Sequence, residues 1–143
     1  MFVMPFVSIT RLRVRSWRYI PAFLVGAVRS AWQARSTPAN LAVSLLRDRG
    51  RVYWTRTLWN DEAAMRSFMM SGAHRQTMPH LLDWCDEASV VHWTQDADEP
   101  PSWPEAHRRM LQDGRRSRVN HPSDRQLRLT FPAPRVGVEL KLK

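Results

Sequence analysis

Residues Arg51–Trp93 read RVYWTRTLWNDEAAMRSFMMSGAHRQTMPHLLDWCDEASVVHW. The stretch begins as a strand. Val52, Trp54 and Leu58 alternate with Tyr53, Thr55, Thr57 and Trp59, and β-branched and aromatic residues suit a pleated, half-buried surface. Asn60 is placed to cap a helix, because its side chain can accept from a free N–H two or three residues on. Asp61 and Glu62 follow in the first turn, where the helix dipole favours negative charge. Met65, Phe68 and Met69 share one apolar face at helical spacing, and Ser71-Gly72 ends the helix. A second short helix carries His74, Met78, Leu81, Leu82 and Cys85. Ser89 to Thr94 closes the stretch as another strand. This strand–helix–helix–strand unit is half of a ferredoxin-like domain.

The preceding residues repeat the order. Phe6 to Val14 reads as a strand, with Val7 and Ile9 alternating with Ser8 and Thr10. Pro5 sits just before it, where a missing N–H does little harm. Ser16 to Arg35 reads as a helix, with Pro21 near its start. Leu41 to Leu46 is an apolar run of strand length, and Asp48-Arg49-Gly50 turns it into Val52. The fold class expected is α+β: a ferredoxin-like β-α-β-β-α-β sheet in residues 1–98, followed by a basic, Pro/Arg-rich C-terminal extension over 99–143.

The charge is uneven. Residues 1–100 carry 12 basic and 9 acidic side chains, and residues 101–143 carry 10 and 4, so +6 of the net +9 lies in the last 43 residues. That segment opens with the linker-like Glu99-Pro100-Pro101-Ser102. A short helix, Pro104 to Gln112, is expected next, ending at Gly114. Gln126 to Lys143 alternates weakly, which leaves a hairpin bent at Pro132–Pro134 or disorder. The extension is expected to be dispensable for folding. The single cysteine, Cys85, excludes an internal disulfide framework and makes a reducing cytoplasm the simplest compartment. The apolar start, Met1 to Val7, lacks a basic n-region and a cleavage site. The longest apolar run, Tyr19 to Val28, is about half of what a bilayer requires.

The helices of such a sheet cover one face. The other is expected to be exposed in a monomer, and Trp54, Trp59 and Trp93 lie in the central strands. An apolar sheet face is an interface, so a twofold homodimer with sheets face to face is expected, with a cavity between sheet and helices in each protomer. The stretches FVSITRLRVRSW (6–17) and VYWTRTLWNDEAAMRSFMMSGAHRQTM (52–78) resemble the antibiotic-biosynthesis-monooxygenase superfamily of dimeric α+β barrels. The shared pattern is a strand ending in Trp59, the acidic helix start Asp61-Glu62, an aromatic at Phe68 and a histidine at His74. Within that superfamily the chain is most similar to the spheroidene monooxygenase-like branch.

The resemblance implies a monooxygenase-like protein with a large apolar ligand, carotenoid-like or haem, in the cavity. Haem-degrading members use an Asn on the first strand, a Trp on the second helix and a His just after it. His74 matches. Thr10 stands in the Asn position and lacks the amide donor. Phe68 stands in the Trp position. These two departures argue against haem degradation, while haem ligation by His74 survives the comparison. His74, Trp59 and Thr10 are thus the candidate catalytic residues. His74, Phe68 and Arg11, the last through a carboxylate such as a propionate, are the candidate cofactor-binding ones.

Each residue also has a plainer reading. His74 can satisfy a backbone carbonyl, Trp59 can be a packing residue, and Met65, Met69 and Met70 can fill core gaps. Arg11 and Arg56 lie within strands, where a buried cation needs a partner such as Asp83, Asp86 or Glu87. His92 faces away from Val91 and Trp93 and reads as a surface residue. Neither HxxxH nor CxxC occurs, so no protein-only metal site is expected. The basic cluster Arg115-Arg116-Ser117-Arg118 comes without a nucleic-acid reading motif; it reads first as a solubilising extension, and a weak contact with an anionic membrane surface is the partner it could take. Two function classes remain open: an oxygenase, haem-dependent or cofactor-free, and a non-catalytic ligand-binding or structural protein on the same fold.

Overall fold

A computed structural model describes residues 4–143. Met1, Phe2 and Val3, the beginning of the apolar start considered for targeting, lie outside them. Strand β1 (Phe6–Val14) leads through a 3-10 turn (Trp17–Tyr19) into α1 (Ile20–Arg35). Strands β2 (Asn40–Arg47) and β3 (Val52–Trp59) form the hairpin, and α2 (Glu62–Met69) and α3 (Gly72–Trp84) lead into β4 (Cys85–Thr94). The expected β-α-β-β-α-β order is therefore present, with its second helix in two pieces. Beyond it come α4 (Trp103–Asp113), β5 (Arg115–Arg116), α5 (Asp124–Arg128) and β6 (Val138–Lys141). All pairings are antiparallel, in the order β5-β4-β1-β3-β2-β6.

Local chemistry explains the element boundaries. Pro21 occupies the first turn of α1, where its missing N–H has no intrahelical partner to lose. The α2 cap is Asp61 rather than Asn60: its carboxylate accepts from the Ala64 N–H at 2.9 Å. The charged acceptor sits at the positive end of the helix and displaces the amide as the better cap. Gly50 and Arg51 both take positive φ in the β2–β3 turn.

The alternation of β1 and β3 sorts side chains onto two faces. Val7, Ile9, Trp54 and Leu58 point to one, and they are fully buried. That face is not left bare. Helix α4 lays Trp103, Ala106 and Met110 on it, and Phe131 joins them in one cluster with Trp54. The Trp54 ring lies 5.9 Å from Phe131 and 6.4 Å from Trp103, both edge-on. Arg11 and Arg56 enter the same layer. Arg11 pairs with Glu87 at 2.9 Å and lies over the Phe131 ring. Arg56 reaches the Pro101 carbonyl, Ser44 and Glu139.

Three expectations change here. Residues 99–143 fold back over the sheet and extend both its edges, so the sheet is now expected to need them. Gln126–Lys143 is neither a hairpin nor a structureless tail, because β6 pairs with β2 instead of with a strand of its own segment. The ground for a sheet-to-sheet homodimer also falls away, since the chain's own Trp103 and Phe131 cover the tryptophan face. Trp59 belongs to the opposite face, under α2.

Deleting residues 100–143 is expected to abolish the cooperative thermal transition seen by circular dichroism. Trp103→Ala, which keeps the chain complete, is expected to cost about 3 kcal/mol in urea denaturation, the scale of a large-to-small change in a packed core. A truncated chain melting within a few degrees of the full-length protein would show that the sheet does not need this cover.

Candidate functional site

The helix face of the sheet has a different composition. β1 presents Ser8, Thr10 and Leu12 to it, and β3 presents Tyr53, Thr55 and Thr57. Register puts Ser8 between Thr57 and His92, and Thr10 between Thr55 and Val90. Short hydroxyl side chains thus gather where three strands meet. Above them α1 contributes Ala27 and Ala31, which also fill little space. The result is a cavity of about 580 Å³ between sheet and helices, walled by residues such as Phe23, Leu45, Met65 and Leu81. Its size and mostly apolar walls with a few polar groups are those of a small-molecule site.

His74 borders this cavity, and the α2–α3 junction places it. Gly72 has φ +59°, and a Cβ there would meet the Gln33 side chain at 2.9 Å. Gln33 of α1 binds both sides of the break: its Nε2 donates to the Ser71 carbonyl at 2.9 Å, and its Oε1 accepts from the His74 N–H at 3.0 Å. His74 Nδ1 lies 3.2 Å from the Met69 carbonyl. A carbonyl only accepts, so Nδ1 carries the proton and Nε2 keeps its lone pair. Burial lowers the His74 pKa, opposed by the Met69 contact, and the imidazole is neutral at neutral pH.

The aromatic residues form a row behind it. The Phe68 ring lies 4.8 Å from His74, tilted by 51°, and the Trp59 ring lies 5.0 Å from Phe68, tilted by 35°. Trp59 is fully buried and its Nε1 donates to Thr57 Oγ1 at 2.9 Å. It supports Phe68 and Thr57 and does not itself wall the cavity. Of the residues singled out from sequence, Thr10, Phe68 and His74 come together at the cavity, with Trp59 behind them. Arg11 does not join them. It lies on the covered face against Glu87, because its position in β1 shares parity with Val7 and Ile9. The cations bordering the cavity are Arg47 and Arg118.

Sequence reading missed His92. It sits beside Ser8 on the cavity side, and burial lowers its pKa, with Arg115 and Arg66 acting in the same direction. Its alternation against Val91 and Trp93 was visible, but the face it points to is covered by helices rather than water. Gln33 gave no signal, because its partners are distant in sequence. Cys85 is buried and its thiol is pushed up to about 12, mainly by burial, so it is an inert packing group. Among the described residues no cluster of three or more His, Cys, Asp or Glu could hold a metal ion.

A family profile described only as a domain of unknown function, DUF3291, matches residues 26–124. The chain belongs to the DUF3291 family. The match takes in His74, Phe68, Gln33 and His92, and it runs past the linker through α4. A comparison with curated proteins finds no match. Among solved structures, a conserved protein from Methanosarcina mazei Go1 aligns with this DUF3291 chain at TM-score 0.58 and 10% identity, covering 65% of this chain and 94% of its own. An antibiotic biosynthesis monooxygenase aligns at TM-score 0.56 and 18% identity, covering 62% and 95%. SnoaB, a cofactor-independent oxygenase from Streptomyces nogalater, in a variant form, aligns at TM-score 0.51 and 18% identity, covering 66% and 94%. These likenesses establish for this DUF3291 chain the α+β, ferredoxin-like fold of antibiotic biosynthesis monooxygenases.

A histidine whose folded pKa lies below its ordinary value of 6.5 contributes full stability above that value. The contribution is lost as pH falls from there toward the folded pKa, since the unfolded chain then takes the proton first. Unfolding free energy measured in urea is expected to drop as pH falls below 6.5, and less steeply in His74→Gln. An unchanged slope in the variant would mean that His74 titrates as it does in water.

Proposed function

We propose that the cavity takes up a large apolar molecule and that the protein is monooxygenase-like, acting on that molecule near His74. The single observation carrying this reading is the cavity itself: an apolar chamber with a hydroxyl-bearing floor and two imidazoles kept neutral by burial. A carotenoid-like chain suits the walls, and kinship with the spheroidene monooxygenase-like branch belongs to this proposal. The likeness of fold to a cofactor-independent oxygenase adds support.

The residues divide the work by chemistry. His74 Nε2 is a base able to take a proton from a ligand hydroxyl or an activated C–H. The Met69 carbonyl fixes the tautomer and steadies the imidazolium that forms. Thr10 and Ser8 offer hydroxyls that orient a polar group of the ligand, while Thr57 is already engaged by Trp59 and the Ser8 carbonyl. Phe68 holds the His74 ring in place, and the helices exclude water.

Haem is the second reading, favoured by the same Nδ1 contact. A histidine that donates from Nδ1 to a carbonyl keeps the Nε2 lone pair free to ligate a metal. His74 would hold the iron, Arg47 and Arg118, which border the cavity, would pair with the propionates, and the group would supply oxygen-binding redox chemistry. Arg11, expected for that role, is spent on Glu87.

Purified protein is expected to bind a solvatochromic apolar dye with a blue shift in emission and to release it to a carotenoid extract. His74→Ala is expected to retain the dye and the thermal midpoint within a few degrees, and to lose turnover at least a hundredfold. Absence of dye uptake by the wild type counts against the cavity reading. A Soret band after growth with haem, removed by His74→Ala, selects haem over the carotenoid-like ligand.

A further inference from the structure

Helix α1, IPAFLVGAVRSAWQAR, is apolar nearly all round, with Arg29, Ser30, Gln33 and Arg35 as its polar residues. A helix of that composition is ordinarily buried on every side. Here one side packs on the sheet and α3, and the other faces solvent. Leu24, Val28 and Trp32, each four residues from the last, are 39%, 47% and 56% exposed, and Val25 beside them is 59% exposed. No described part of the chain covers this stripe.

The surroundings name its partner. Residues 1–47 hold seven arginines and no Asp or Glu, so the segment that forms β1, α1 and β2 has no anion of its own. Arg29 and Arg35 flank the stripe on α1, and Arg35 lies over the Trp32 ring at 4.8 Å. Trp17, just before α1, is 65% exposed with Arg51 over its ring. An apolar stripe, two exposed tryptophans and the flanking cations Arg29 and Arg35, on a segment without an anion of its own, are the makings of a helix that lies in a bilayer interface. A second copy of the chain is a poorer occupant, because twofold pairing would set like charges against each other.

The stripe is continuous with the cavity. Trp17, Leu24 and Val28 are exposed and also border the chamber. We propose that the outer face of α1 docks on an anionic lipid surface and that the cavity opens toward the bilayer there, so that an apolar ligand passes between membrane and protein without crossing water. No helix among the described residues is long and apolar enough to cross a membrane, so the contact is one of lying on the surface. The transfer half of the proposal rests on the cavity reading above, and the docking half stands without it.

The test is sedimentation of the full chain with vesicles of phosphatidylcholine alone or with about 30% phosphatidylglycerol, whose charge attracts basic segments. Binding to the anionic vesicles is expected, weakening with salt. Val25→Gln/Trp32→Gln removes apolar surface outside the cavity and is expected to weaken binding about tenfold or more, with an unchanged circular dichroism spectrum. Arg29→Glu is expected to weaken it more than Arg108→Glu, the same charge change on α4.

Three results would overturn the docking surface. The first is no sedimentation of the wild type with anionic vesicles. The second is equal loss from Arg29→Glu and Arg108→Glu with none from the double variant, the mark of diffuse charge. The third is a dimer in light scattering that the double variant abolishes, without vesicle binding. Vesicle binding without dye uptake leaves the surface in place and removes the cavity reading, and dye uptake without vesicle binding does the opposite.

Discussion

The strand β1 lies between β3 and β4, and its alternation divides the molecule. Val7, Ile9 and Arg11 go to one side, Ser8, Thr10 and Leu12 to the other. A slip of one residue in this register would drive hydroxyls into the dry layer and isoleucine onto the cavity floor. Both neighbours enforce the register, because Leu58, Trp54 and Val91 repeat the parity of the dry side. The layer that contains Trp103 and Phe131 and the chamber that contains His74 therefore follow from a single choice of pairing.

The dry layer carries the costs of burying polar groups. Arg11 is almost wholly buried, and desolvation lowers its pKa against the opposing pull of Glu87. Removing one partner of such a pair leaves a bare buried charge, at a cost of about 3–5 kcal/mol. Arg56 is held by three acceptors, two of them, the Pro101 carbonyl and Glu139, from the C-terminal segment. Arg11 Nε, Arg56 Nε, Trp54 Nε1 and Trp93 Nε1 remain buried without an acceptor. The C-terminal segment is thus joined to the sheet by directed bonds as well as by apolar area, which fixes where α4 and β6 sit.

Local pattern made the first 95 residues legible. Strand alternation, Pro21 in the first turn, the acidic start of α2 and the Ser71-Gly72 break all act over a few residues, and all reappear in the fold. The C-terminal segment was illegible because its structure is borrowed. β6 exists by pairing with β2, β5 is two residues long, and Trp103 and Phe131 are buried only against a sheet made elsewhere. At the site the same division holds. His74, Phe68 and Thr10 were marked by spacing and resemblance, whereas Arg11 was misplaced by ignoring strand parity. His92 was read as solvated because parity says which face a residue takes and not what covers that face. Gln33, 41 residues before the backbone N–H it accepts from, leaves no trace in local sequence.

The contrast between the two faces is itself an argument about function. On the covered face the chain fills its interior with tryptophan, phenylalanine and methionine, so it has the means to pack a layer tightly. On the helix face it places Ser8, Thr10, Thr55, Ala27 and Ala31 where larger apolar side chains would close the space. An unfilled chamber forfeits dispersion contacts and transfer free energy, and two imidazoles held neutral inside it make the fold less stable in acid. Neither feature helps the protein fold. Open space in this chamber, beside a histidine fixed in one tautomer, is what the proposed ligand site would require.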